Sequence, residues 1–168
     1  VVTDDGGSSY FDIPPHTTYA VANDDAQGSG SDGSMDYMIT SEQDFSQADS
    51  VTLVFDSYFT GSYDHKATVE LSTDGGESWE VVHEVEAQDT WADAYEVDLS
   101  EYATDEYSSV WIGFHSDDQG GWASGWAVDN VTLERKFDTP FGNNRDFAGY
   151  NIYQNGNKLN DDVYTETE

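Results

Sequence analysis

The sequence predicts an all-β chain folded as a two-sheet antiparallel β-sandwich, and three observations carry that prediction. Short stretches of alternating apolar and polar residues recur along the chain, the period-2 signature of half-buried strands. Aromatic residues make up 14% of the chain although hydrophobic residues reach only 36%. That bias favours strands and is opposite to the aromatic-poor composition of disordered chains. No stretch carries a helical period over the roughly 10–12 residues a helix requires.

The elements follow in chain order. Residues 1–34 are loop-rich, with Thr18–Ala22 as the one expected strand. Pro14-Pro15 holds an extended or turn conformation, and Gln27–Ser34 is Gly/Ser/Asp punctuation. Met35–Thr40 and Val51–Thr60 are the next strands, the second the strongest in the chain. In Val69–Trp79, Val69, Leu71 and Thr73 alternate with polar neighbours until Asp74-Gly75-Gly76 breaks the run. Trp79–Val85 then resumes the pattern with one slip at Val81-Val82, so the chain folds back as a β-hairpin. Trp91–Leu99 alternates into a single helical or 3₁₀ turn at Leu99–Ala103. Val110–His115 and Trp126–Glu134 close the series. Val128, Val131 and Leu133 cannot all face one way under strict alternation, which predicts a bulge near Asp129-Asn130. About eight strands joined by long irregular connections point to a jelly roll rather than a meander of tight hairpins.

The hairpin turn has its own signature. Ser72, Asp74, Gly76, Ser78 and Trp79 fit the pattern Ser/Thr-x-Asp-x-Gly-x-Ser/Thr-Trp, which resembles the Asp-box turn of sialidase propellers. Asp74 is expected to be structural, accepting the turn's own N–H groups while the Trp tucks beneath.

Charge is the extreme feature. Thirty-five acidic residues face five basic ones, a formal net charge of −30. Such a surface repels phosphate backbones and anionic lipid, so no nucleic-acid partner is expected. Salt screens the self-repulsion over about 8–10 Å, and excess carboxylate keeps a protein soluble there. The composition therefore fits a secreted or cell-surface protein of a saline or marine, halophilic setting. It fits equally a chain whose carboxylates bind Ca2+. Cysteine is absent, which excludes disulfides and thiolate metal sites. No run approaches the roughly 20 apolar residues of a membrane span, so no membrane insertion is expected. The opening Val1-Val2-Thr3-Asp4 lacks a signal-like segment, as expected of a domain from a longer secreted polypeptide.

Several pieces then fall in register: Asp24-Asp25, YMITSEQDFSQADSVTLVFDSYF at 37–59, VELSTDGGESWEVV at 69–82, YEVDLSEYA at 95–103, VWIGFHSDD at 110–118 and GWAVDNVTL at 125–133. This succession over residues 18–134 resembles the MAM-like and cleaved-adhesin-type jelly-roll domains of secreted bacterial proteins. Two positions depart from that pattern: Ser41 stands where the family has Pro, and Asp129-Asn130 where it closes on Asp-Asp. The resemblance implies a non-catalytic adhesion or substrate-targeting module of a larger protein, sometimes a peptidase. Its implied partners are an extracellular protein or glycan and the rest of the parent polypeptide.

The resemblance also implies a structural Ca2+ near the N-terminal loop and the closing strand. Carried onto this sequence, it points to Asp24, Asp25 and Asp129, with Asn23, Asp36 and Asn130 as further candidates. Residue chemistry is consistent with this. Asp24-Asp25 lie in a Gly/Ser-rich loop able to wrap a cation, and Asp129 interrupts an apolar strand, where a buried carboxylate needs a partner. The alternatives are a solvated loop for Asp24 and Asp25, and a carboxylate accepting backbone N–H bonds at the bulge for Asp129.

Residues 1–136 are thus expected to form the sandwich and 137–147 a Pro/Gly/Asn linker. In 148–168, Gly149–Tyr153, Asn155-Gly156 and Lys158-Leu159 resemble an incomplete fibronectin type III-like hairpin. A lone hairpin is marginal in water, so it should dock on the sandwich or pair with another chain.

Enzyme readings fall short on residues. Sialidases resemble one another in clamping substrate with three arginines, and this chain has only Arg135 and Arg145. His83-Glu84 begins a zinc-peptidase pattern that Ala87 ends. A carbohydrate-binding module is the rival to adhesion. Trp122 lies in the glycine-flanked loop Asp117–Gly125, where a ring can project to stack on a sugar while Asp117 and Asp118 accept its hydroxyls. Trp79, Trp111 and Trp126 are expected in the core.

Overall fold

Strand β4, Ser50–Phe59, lies inside its sheet with a partner on each side. Val51, Leu53 and Phe55 on its inner face are fully buried, as the alternation predicts. The computed structural model describes residues 1–28, 33–137, 150–154 and 157–158. Its other strands are β1 (Val2–Thr3), β2 (Tyr19–Asn23), β3 (Met35–Thr40), β5 (Lys66–Ser72), β6 (Glu80–Glu84), β7 (Ala92–Asp98), β8 (Trp111–Asp117), β9 (Gly125–Lys136), β10 (Tyr150–Gln154) and β11 (Asn157–Lys158). They form a five-stranded sheet, β1-β2-β9-β4-β7, and a six-stranded sheet, β11-β10-β3-β8-β5-β6. The described strand pairs are antiparallel, and the two sheets pack face to face as an all-β sandwich.

Phe55, Trp126, Val128, Val131 and Leu133 meet Met38, Val69, Leu71, Ile112 and Phe114 in the core. Each such side chain, fully buried, contributes about 1.5–3 kcal/mol of transfer free energy. Among the described residues, no helix is long and apolar enough to cross a membrane.

Both outer faces are covered by loops. Residues ahead of β2 run across the five-stranded sheet, where Phe11 and Ile13 pack on Tyr19, Val21, Tyr58 and Ala127. Tyr58 Oη donates to the Asp12 carbonyl at 2.8 Å, and Trp91 Nε1 to the Pro14 carbonyl at 3.0 Å. On the six-stranded sheet the β5–β6 turn lays Trp79 over Gly113, where a Cβ would sit 2.8 Å from the ring. Trp79 stacks on Tyr37, which stacks on His115 at 4.1 Å. Trp79 thus caps an outer face rather than joining the core that Trp126 occupies. Asp74 behaves as the turn pattern predicts. It accepts from Glu77 N, Ser78 N, Ser78 Oγ and Ser72 Oγ, and these bonds hold its carboxyl down to about 2.

Three register shifts mark bulges. One lies in β6 at Val82, where the sequence slips. A second lies in β9, where two residues, Asn130 and Val131, oppose Phe55, and Asn130 takes a left-handed φ of 51°. This is the bulge that the facing of Val128 and Val131 demands. The third, unforeseen, lies in β7, where Asp93 and Ala94 oppose Asp56 and Ala94 has φ 52°.

A stretch read as loop contains one helical turn, α1 (Asp24–Gln27), capped by Asn23. β10 pairs with β3, from Tyr150↔Thr40 to Gln154↔Asp36, so this part of the C-terminal segment extends the six-stranded sheet. The expected linker at 137–147, apart from Phe137, lies outside the described residues, as do the Asn155-Gly156 turn and Leu159.

Candidate metal centres and an aromatic face

The acidic residues singled out by sequence separate into two groups. Asn23 pairs with Gly125 in the β2–β9 ladder, and Asp129 lies four residues further along β9. At about 3.3 Å per residue that is about 13 Å. A single Ca2+, with ligand oxygens at about 2.3–2.6 Å, cannot bridge it.

The first group closes one end of the sandwich. Asp24, Asp36 and Asp118 are 6%, 8% and 4% exposed. Asp118 Oδ2 accepts from Gly33 N and Ser34 N, and its Oδ1 from Gly120 N. Asp24 Oδ2 accepts from Ala123 N at 2.6 Å. Asp36 is on β3 opposite Ser116, on the side of the strand that carries Met38 into the core. Its Oδ2 accepts from Ser34 Oγ at 3.2 Å, whereas its buried Oδ1 has no hydrogen-bond partner among the described residues. Burial pushes the Asp36 carboxyl up and the nearby Asp24 and Asp118 carboxylates add to the shift, while the Ser34 hydroxyl and the Val1 ammonium offset part of it. His65 lines the same end, with Nε2 2.8 Å from Ser116 Oγ. Burial holds its imidazole down to about 4, so it is neutral at pH 7 and brings no counter-charge.

Two residues expected here do other work. Asn23 is spent on structure: Oδ1 accepts from Ala26 N and Ser8 Oγ, and Nδ2 donates to the Gly6 carbonyl. Asp25 is half-buried and accepts from Tyr10 N. Asp118, expected at a sugar-facing surface, is instead inside and joins the acidic group, because its carboxylate is folded in by the loop amides it accepts from. Asp117 stays near the surface and closes its own turn through Gln119 N.

The second group is assembled by the two bulges beside Asp56. Ala94 N donates to Asp56 Oδ1 at 2.8 Å, and Asn130 Nδ2 to Asp56 Oδ2 at 2.5 Å. Asp129 Oδ1 accepts from Asn130 N, and its Oδ2 from Thr17 Oγ1 at 2.6 Å. His16 reaches over both, Nδ1 3.0 Å from Asp129 Oδ2 and Nε2 3.4 Å from Asp56 Oδ2. Asp129 thus accepts a backbone N–H at the bulge, the alternative to a metal ligand, and lies too far from Asp24 and Asp25 to share an ion with them. Sequence reasoning missed His16, Asp56 and Asp93, which are far apart in the chain and share no motif spacing.

The loop tryptophan sits next to the first group. Trp122 is half-buried between Tyr10, edge-on at 5.4 Å, and Tyr63, tilted at 4.3 Å. Tyr10 and Tyr63 are 64% and 52% exposed, which leaves a ring surface open to solvent. No family model matches this chain, and no curated protein matches it.

Proposed function

We propose that this chain is a non-catalytic binding module, stabilised by Ca2+ at the Asp24–Asp36–Asp118 end, that serves adhesion or substrate targeting within a larger secreted protein. The observation that carries the cation reading is Asp36. A carboxylate oxygen buried without a hydrogen bond costs free energy, and the neighbouring acids raise that cost. A hard divalent cation supplies the missing partner and takes oxygen ligands of this kind. The secreted setting rests on composition alone, a net charge of −30.

Thermal unfolding at fixed high ionic strength tests it. After chelation, Ca2+ at about 100 times Kd should restore about 2.7 kcal/mol, and Asp36→Asn should remove most of that gain. An equal response to Mg2+, or to salt alone, removes the calcium reading.

A second reading is sugar binding at the Tyr10–Trp122–Tyr63 face, favoured by the exposure of its two tyrosines. Trp122→Ala should abolish binding to a neutral glycan panel while leaving the unfolding transition in place. Retained glycan binding in that variant, or none in the parent chain, removes the sugar reading.

A further inference from the structure

The group around His16 has a different chemistry from the all-oxygen end. One ligand atom from each of His16, Asp56 and Asp93 lies within 4.8 Å of the others. The imidazole is positioned before any ion arrives, stacked on Trp91 at 4.1 Å with an interplanar angle of 30°. Its Nδ1 faces Asp129 Oδ2 at 3.0 Å, the carboxylate–imidazole pairing that turns the other ring nitrogen toward a metal. The other ring nitrogen, Nε2, stands 3.4 Å from Asp56 Oδ2, a spacing that lets one ion take both atoms as ligands.

The backbone serves the same end. Bulges in β7 and β9 flank Asp56 on both sides, and such bulges re-aim side chains. They bring Asp93 toward the imidazole and anchor Asp56 through Ala94 N and Asn130 Nδ2. Asp93 is exposed, so the group opens to solvent and leaves a path for an ion.

We propose that His16, Asp56 and Asp93 bind a divalent transition ion of the Zn2+ type, with Asp129 as the residue that positions His16. One imidazole nitrogen and two carboxylates suit Zn2+, which takes four ligands at about 2.0–2.2 Å, better than Ca2+, which seeks six to eight oxygens. The remaining position on the ion faces solvent. This site is separate from the Asp24–Asp36–Asp118 end and does not depend on it.

Isothermal titration of the chelated protein with Zn2+ alone tests the proposal, and Ca2+ titrated separately reports on the other end. One Zn2+ equivalent is expected, bound more tightly than Ca2+ at this site. Asp93→Asn, a surface change that leaves the fold intact, should weaken Zn2+ at least 10-fold. Asp129→Asn should weaken it about 10–100-fold as a positioning residue. Neither should alter the Ca2+ response that Asp36→Asn removes. As a readout beside affinity, stoichiometric Cu2+ should quench the Trp91 fluorescence component, and Trp91→Phe should lose that quench. Absence of Zn2+ uptake overturns the proposal, as do uptake unchanged by both aspartate substitutions and a site preference for Ca2+.

Discussion

The backbone N–H of Ala123 donates to the buried carboxylate of Asp24 at 2.6 Å, across 99 positions of sequence. Trp122, the next residue back, is therefore tethered to the acidic end, and Tyr10 is tethered there too through Asp25. Filling that end with Ca2+ should also order the aromatic face. Amide exchange across residues 118–124 is expected to slow with Ca2+ in the parent chain and to be insensitive to it in Asp24→Asn. Exchange that ignores Ca2+ in the parent would uncouple the two features.

Gly113 is a packing requirement of the β5–β6 hairpin. A Cβ there would stand 2.8 Å from the Trp79 ring, too close for ordinary contact. Gly113→Ala should cost about 1–3 kcal/mol and shift Trp79 emission to the red as the ring is pushed off Tyr37. A change below about 0.5 kcal/mol would mean that the ring is not seated on the strand.

Glu70 supplies a pH signature. Burial pushes its carboxyl up, but hydrogen bonds from His115, Thr68 and Tyr37 outweigh that and hold it below the ordinary range. A carboxyl lowered by folding stabilises fully above its unfolded value, and the gain disappears as pH falls through the lower folded value. The rest of this acidic chain gains from protonation over the same interval, since its self-repulsion is relieved. The difference between the parent chain and Glu70→Gln isolates the term. It should be constant near neutrality and shrink once pH falls below about 4.5. A difference that grows toward acid would contradict the network.

β10 covers the edge of β3, whose MDYMIT strand carries Tyr37, Met38 and Ile39. Ending the chain at Phe137 uncovers that ladder of N–H and C=O groups, a template for pairing with another copy. The shortened chain should sediment as concentration-dependent oligomers under conditions where the full chain does not. A monomer at all concentrations would show that the edge needs no cover.

Period and turn chemistry made the scaffold legible. The clash of facing between Val128 and Val131 announced a bulge, because core burial enforces alternation and a break has one local remedy; the Val81-Val82 slip, read only as an irregularity of the hairpin, has the same remedy. The Asp74 network was readable for a similar reason: all its partners lie within four residues. The site was less legible because its parts meet only through tertiary structure. Asp24 and Asp36 could be named, but Asp118 looked like loop surface until its carboxylate turned inward onto loop amides. Asp56 sits in an ordinary alternating strand, outwardly like Thr52 and Val54, and nothing local says that bulges on both neighbours converge on it. His16 follows two prolines in a segment without period, so its position depends on where Phe11 and Ile13 anchor the chain.

The run ahead of β2 has the consequence that cuts most directly into handling. From Ser8 to Thr17 it carries no ladder pairing and holds to the sheet by Phe11 and Ile13 packing, the His16–Trp91 stack and a few side-chain bonds, those of Asn23, Asp25, Tyr58, Trp91 and Asp129. Two of these anchors, Asp25 and Asp129, adjoin the proposed ion sites. Depleting divalent ions should therefore release this strap before the sandwich unfolds. Chymotrypsin would then nick the chain first beside Tyr10 or Phe11, leaving a nearly intact fragment, and added ions would protect that bond.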